Sequence, residues 1–200
     1  MNTIITDRLS TIAALIVGSG SGYGLSQVID APELKTWMIT ISVAVSLLLS
    51  LIISLSLMGR MTVAKRDKLT KKGWYVLIGF LAFIAVFFIY YNKYTIKIPW
   101  VNQAGQIGDT VIVKGLKYTT RASIYRDSVK SHDQFGNYPT DDVLLDDATY
   151  DIRKVWSDDS RTNARLVLLF LYTIMTCFLI AGVTLIVEGI IHSRKKSSRE

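Results

Sequence analysis

The sequence predicts an α-helical integral membrane protein of four spans, with a small α+β domain inserted between the third and the fourth. Three observations lead there. Half of the 200 residues are apolar while a fifth are charged, so the two kinds must be sorted by segment. The apolar residues collect in runs close to the roughly 20 that a spanning helix needs. The basic residues collect between and after those runs, as they do in loops retained in the cytoplasm.

The first run, Leu9 to Ile29, is long enough but is diluted by Ser19, Gly20, Ser21, Gly22 and Gln27. It lacks a basic n-region and follows Asp7, which argues against a cleavable signal peptide. It is expected to be a span, with a re-entrant or surface-lying segment as the alternative. Gly18 and Gly22, and Gly20 and Gly24, form two overlapping G-x-x-x-G spacings, which suit close contact with a neighbouring backbone. Gly22-Tyr23-Gly24 also matches the tripeptide of potassium-channel filters, but such a filter lies between two spans and none precedes this one.

The second run, Thr36 to Met58, carries Ser42, Ser46, Ser50 and Ser54 at a constant spacing of four. A step of four advances a helix by about 400°, so these hydroxyls form one slowly spiralling stripe. The stripe either packs against a neighbouring helix or lines a water-filled path in an oligomer, and packing is the more usual use.

The connector Gly59 to Gly73 holds Arg60, Lys65, Arg66, Lys68, Lys71 and Lys72 against Asp67, and the tail adds Arg194, Lys195, Lys196 and Arg199 against Glu200. Both are expected in the cytoplasm. The third run, Trp74 to Tyr91, then leads outward and the last, Leu166 to Ile191, leads back. Trp37, Trp74, Tyr75, Tyr90, Tyr91 and Tyr94 mark the interfaces. The division that follows is 1–91 for three spans with a basic loop at 59–73, 92–165 for an extracytoplasmic domain, and 166–200 for the last span and tail.

Between Lys93 and Arg165 there are ten Asp, no Glu and eleven Lys or Arg, so this segment is close to neutral. Tyr94 to Trp100, and a stretch from Asp109 through Val111 to Val113 that stops at Gly115, read as two short strands joined by a turn at 102–109. Thr119 or Thr120 opens a helix, Pro139 and Thr140 open another with Asp141 and Asp142 in its first turn, and Ser157 opens a third. Nothing helix-breaking follows Ser157, so that helix should enter the last span as one rod.

Enzyme chemistry finds little support. His132 and His192 are the two histidines and Cys177 the single cysteine, too few for a zinc site, a Cys-His pair or an internal disulfide. The pairs Asp141/Asp142, Asp146/Asp147 and Asp158/Asp159 could hold a divalent cation, but two of the three lie in expected helix first turns, where capping is the more usual role. No cofactor is expected. Glu188 is a possible acid at a pore mouth, or a solvated partner of Arg194. The basic residues from Arg60 to Lys72 and from Arg194 to Lys196 face anionic lipid, or form a patch for a nucleotide-type or other anionic signal.

The order of Val111, Gly115, Tyr118, Thr119 and Ala122, then Leu144-Leu145 among acids, then Val155-Trp156-Ser157 and Ser160 before the last span resembles a membrane module of bacterial conflict and antiviral defence proteins. The resemblance covers about half the chain and carries no catalytic signature. It implies a membrane effector or its partner. The leading expectation is therefore a homo-oligomeric effector in a bacterial inner membrane that forms or gates an ion-conducting pore when a cytoplasmic signal arrives. The competing one is a non-conducting scaffold or receptor subunit whose external domain docks a partner protein.

Overall fold

In the computed structural model the chain is mostly helical. The structure describes residues 16, 17, 20, 23, 31–56, 63–101, 107–132 and 138–197. In order these form α1 (Pro32–Ser56), α2 (Val63–Tyr94), β1 (Thr95–Val101), β2 (Ile107–Val113), α3 (Thr120–His132), α4 (Asp141–Asp147), α5 (Ile152–Val155) and α6 (Asp158–Ser197). Of the expected first span only Ile16, Val17, Gly20 and Tyr23 are described, all four of them helical. Gly18, Gly22 and Gly24 lie outside the described residues, as do Arg60 and the side chains of Ser54, Arg66, Arg194, Lys195 and Lys196.

Three helices are long and apolar enough to cross a membrane, over Leu34–Ile53, Asp67–Tyr94 and Asp158–Ile190. At 1.5 Å per residue, α2 is about 48 Å long and α6 about 60 Å, against a hydrocarbon core of about 30 Å. Both therefore outrun their apolar stretches. The basic connector is one such extension: it was expected as a loop, but it is helical from Val63 onward. Ala, Lys, Arg and Leu are good helix formers, and no proline or glycine interrupts 63–72. Lys65, Lys68, Lys71 and Lys72 are exposed on it.

The chain divides into two compact units: one of Met1–Ile29, Lys35–Phe88 and Leu169–Glu200, the other of Asp30–Leu34 and Ile89–Leu168. In the first, α2 and α6 run antiparallel. A Cβ built on Gly73 would lie 2.6 Å from Ile186 Cγ1 and 2.9 Å from the Gly182 carbonyl oxygen, and one on Gly182 would lie 2.8 Å from Leu77 Cδ2. Farther along, Gly79 admits the Phe178 ring, Phe83 lies tilted against that ring with centroids 5.0 Å apart, and Phe87 meets Tyr172 edge-on at 6.2 Å. Backbone approaches this close require glycine. The opposite faces, including Leu47, Leu48, Leu51, Ile78, Leu81 and Phe170, are exposed apolar surface of the kind lipid covers.

The second unit starts from an antiparallel hairpin in which Thr95 pairs with Val113 and Val101 with Ile107. The second strand starts at Ile107, inside the expected turn. Lys114 N–H donates to the Tyr94 carbonyl at 2.8 Å and extends the ladder by one bond. Leu144, Leu145, Val155 and Trp156 form the core, with Ile96, Ile98, Tyr118, Tyr125, Ala148 and Ile152 around them. Thr119 Oγ1 accepts from Ala122 N–H at 3.2 Å and so caps α3. Helix α4 ends in a Schellman motif: Thr149 N–H donates to the Asp146 carbonyl and Tyr150 N–H to the Leu145 carbonyl. Thr149 and Tyr150 both have positive φ, 53° and 58°, a conformation usually left to glycine.

Candidate functional site

In the helical unit the serine stripe has a definite place. Ser42, Ser46 and Ser50 have no exposed surface. Ser42 shares a buried hydrogen bond with the Tyr172 hydroxyl of α6. The Ser46 hydroxyl donates to the Ser42 carbonyl at 2.5 Å and that of Ser50 to the Leu47 carbonyl at 3.2 Å. Ser42, Ser46 and Ser50 are thus sheltered within one chain, by α6 at Ser42. Gly20, by contrast, has nothing within 4 Å of a Cβ built on it. Among the described residues no close approach is made at Gly20, whereas Gly73, Gly79 and Gly182 make one.

Those three glycines were missed, and so was the matching stripe on α6. Tyr172, Thr176, Ile180, Thr184 and Glu188 recur every four residues and are all buried. The same spacing that exposes the serine row in the sequence would have found this one. Thr176 Oγ1 donates a hydrogen bond to the Tyr172 carbonyl at 2.9 Å, whereas Thr184 Oγ1 is buried with no hydrogen-bond partner among the described residues. Glu188, expected as a pore-mouth acid or as an acid solvated or paired with Arg194, is 7% exposed. A shift of one turn from Thr184 keeps it on the inward face of the helix.

In the second unit the polar side chains are organised around Asp141 and Ser160. Asp141 accepts from Lys114 Nζ at 2.5 Å and from the Tyr118 hydroxyl at 2.7 Å. It therefore ties α4 to the end of the hairpin and does more than offset a helix dipole; Thr140 ahead of it makes no side-chain cap bond. Burial, then hydrogen bonding to Asp141, raises the Tyr118 hydroxyl above the ordinary tyrosine range. Trp156 stacks on the other side of this network, 6.5 Å from Tyr118. Outside it, Arg126 lies 4.9 Å from the Tyr118 ring and 4.0 Å from the Tyr138 ring, and Lys130 lies 4.0 Å from Tyr138. The Lys130 ammonium, then the Arg126 guanidinium, lowers the Tyr138 hydroxyl. Tyr138 is half exposed, and with Ile124 and Val143 it leaves apolar surface uncovered.

Ser160 holds the second organising position. Its Oγ accepts from Leu116 N–H at 2.7 Å and from Lys117 N–H at 2.9 Å. Gly115 makes this possible, since a Cβ there would lie 2.8 Å from Ser160 Oγ and 3.1 Å from Trp156 Cβ. Ser157 N–H donates to the Lys117 carbonyl and Thr119 N–H to the Val155 carbonyl, which makes the bridge between Tyr118 and Trp156. Val111, Gly115, Leu144, Leu145, Val155, Trp156 and Ser160, which carry the resemblance noted in the sequence, are buried positions of this unit.

Among the described residues, no three His, Cys, Asp or Glu side chains come together as a metal would need. Compared with protein-family models, curated proteins and solved structures, the chain matches none.

Proposed function

We propose that this chain is a multi-pass protein of a bacterial inner membrane, with Leu9 to Ile29 as a further span, and that it acts as a non-conducting docking subunit of a defence-type membrane module. One observation carries the choice of a non-conducting role. A hydroxyl row that lines a water path must be wet, yet Ser42, Ser46 and Ser50 have no exposed surface and each bonds inside the chain. The exposed lysines at the start of α2 and the basic tail favour a cytoplasmic position for those ends. The second unit would then face outward, where Arg126, Lys130 and Tyr138 offer the Arg and Tyr chemistry common at protein-binding hot spots.

A conducting homo-oligomer is the second reading. It draws on Thr184 Oγ1, buried without a partner, and on Glu188 one turn away in an apolar helix. It requires α1 and α6 to part at Ser42 and Tyr172 when an anionic signal, nucleotide-type or other, engages the basic ends.

Liposomes holding the full-length protein decide between the two. The docking reading expects no ion flux from the wild type, and a Ser46→Leu protein that loses about 1–3 kcal/mol of stability through overpacking. Wild-type flux that Ser46→Leu abolishes while the protein remains folded would overturn it.

A further inference from the structure

The second unit holds a cleft of about 530 Å³ that the docking role does not use, lined by Tyr150, Arg153, Asp158, Arg161, Thr162 and Arg165 together with Asp151 and Ile152. Its walls carry three guanidinium groups and two carboxylates. Both carboxylates are engaged: Asp151 accepts from Arg153 N–H at 3.2 Å and pairs with Lys154 at 3.7 Å, and Asp158 lies 3.5 Å from Arg161. The lining is therefore positive by one charge. Arg161 is 7% exposed, and its Nε donates to the Val113 carbonyl at 3.4 Å. That bond fixes a charged group in a wall of the cleft, while Arg153 enters from α5 as an exposed side chain.

Arg161 and Arg165 are one helical turn apart and so lie on one face of α6, with Thr162 beside them. Tyr150, in the left-handed backbone at Thr149 and Tyr150, lines the same space. Several planar forks around one opening match a tetrahedral anion with oxygens in more than one direction better than a planar carboxylate. We propose that this cleft binds a phosphoryl group, held by Arg153, Arg161 and Arg165 with the Thr162 hydroxyl. Arg165 directly precedes the apolar run that starts at Leu166, a position at headgroup level if α6 crosses the membrane there. The phosphoryl group is then either that of an anionic lipid or a free phosphate. The lipid source rests on the membrane placement proposed above; the free source does not.

Two measurements on the full-length protein separate them. Inorganic phosphate is titrated calorimetrically into protein held in an uncharged detergent. In parallel, lipid retention is read by native mass spectrometry after reconstitution in phosphatidylcholine doped with phosphatidylglycerol. The wild type should bind phosphate, or retain phosphatidylglycerol in preference to phosphatidylcholine, and whichever occurs names the source. Arg153→Gln with Arg165→Gln leaves the Arg161 bond to Val113 in place, and should weaken the binding about tenfold or more. Arg153→Gln alone, at an exposed position, carries the test should the double variant unfold. A wild type silent in both measurements, or a folded variant that binds as the wild type does, overturns the proposal.

Discussion

Replacing Gly73 by alanine tests whether bare backbone sets the closest helix approach in the helical unit. The new Cβ would lie 2.6 Å from Ile186 Cγ1, 2.9 Å from the Gly182 carbonyl oxygen and 3.2 Å from Ile186 N. Carbon atoms rest at about 3.5–4.0 Å, so α2 and α6 lack roughly 1 Å of room. The Ile186 side chain can turn away, but the Gly182 carbonyl is part of a helix and cannot. Overpacking of this kind costs about 1–3 kcal/mol, and the better helix propensity of alanine returns about 1 kcal/mol. Because the carbonyl cannot yield, the upper part of that range, about 2–3 kcal/mol, applies; the expected net loss is then about 1–2 kcal/mol, or roughly 5- to 30-fold in the unfolding equilibrium. Gly20→Ala is the matched control: nothing stands within 4 Å of its Cβ, so it should gain up to about 1 kcal/mol. Both are read by circular dichroism during unfolding in mixed micelles of rising dodecyl sulfate content. A Gly73→Ala protein as stable as the wild type would refute the reasoning, because the helices would then not be held at glycine distance.

Ser42→Ala and Tyr172→Phe should each cost about 1 kcal/mol and together cost less than their sum; strict additivity in the same assay would deny them a shared bond. Thr149→Gly should stabilise the protein by about 1 kcal/mol, since a left-handed non-glycine residue costs about 1–2 kcal/mol and glycine's added chain entropy takes back part of it. A lower thermal midpoint would count against it. The two perturbed tyrosines should move stability oppositely at alkaline pH. Tyr118 is raised above its unfolded value of 10.0, so its contribution is whole below that pH and is lost as pH rises through the folded value. Tyr138 is lowered from 10.0, so its contribution grows as pH rises through its folded value. Tyr118→Phe should therefore flatten the alkaline decline in unfolding free energy and Tyr138→Phe should steepen it; equal slopes for the two variants would reject the assignment.

The three long apolar helices and the two-stranded hairpin were legible because hydropathy and period-two alternation are local properties of the chain. Less legible was where each element stops. The basic connector reads as a loop by charge, yet nothing in 63–72 resists a helix, and the helix wins. Gly73, Gly79 and Gly182 stood out less, because no G-x-x-x-G spacing marks them and close contact at a lone glycine depends on which residue the partner helix brings opposite. Glu188 stands four residues after Thr184 in the sequence, and the same spacing carried back to Tyr172 marks the buried row to which it belongs. The arginine cleft was not visible at all, because it draws on α5, a four-residue helix, and on the angle at which the chain enters α6.

Ser160 leaves a trace that reaches beyond this one molecule. It supplies the hydrogen-bond acceptor for two successive amides more than forty positions earlier, and it fits only because position 115 has no side chain. Descendants of this sequence are then not free to vary the two sites separately. A bulkier residue at 115 would demand a retreat at 160, and losing the hydroxyl at 160 would leave the 116–117 amides to find water, so substitutions at 115 and 160 should be inherited in pairs.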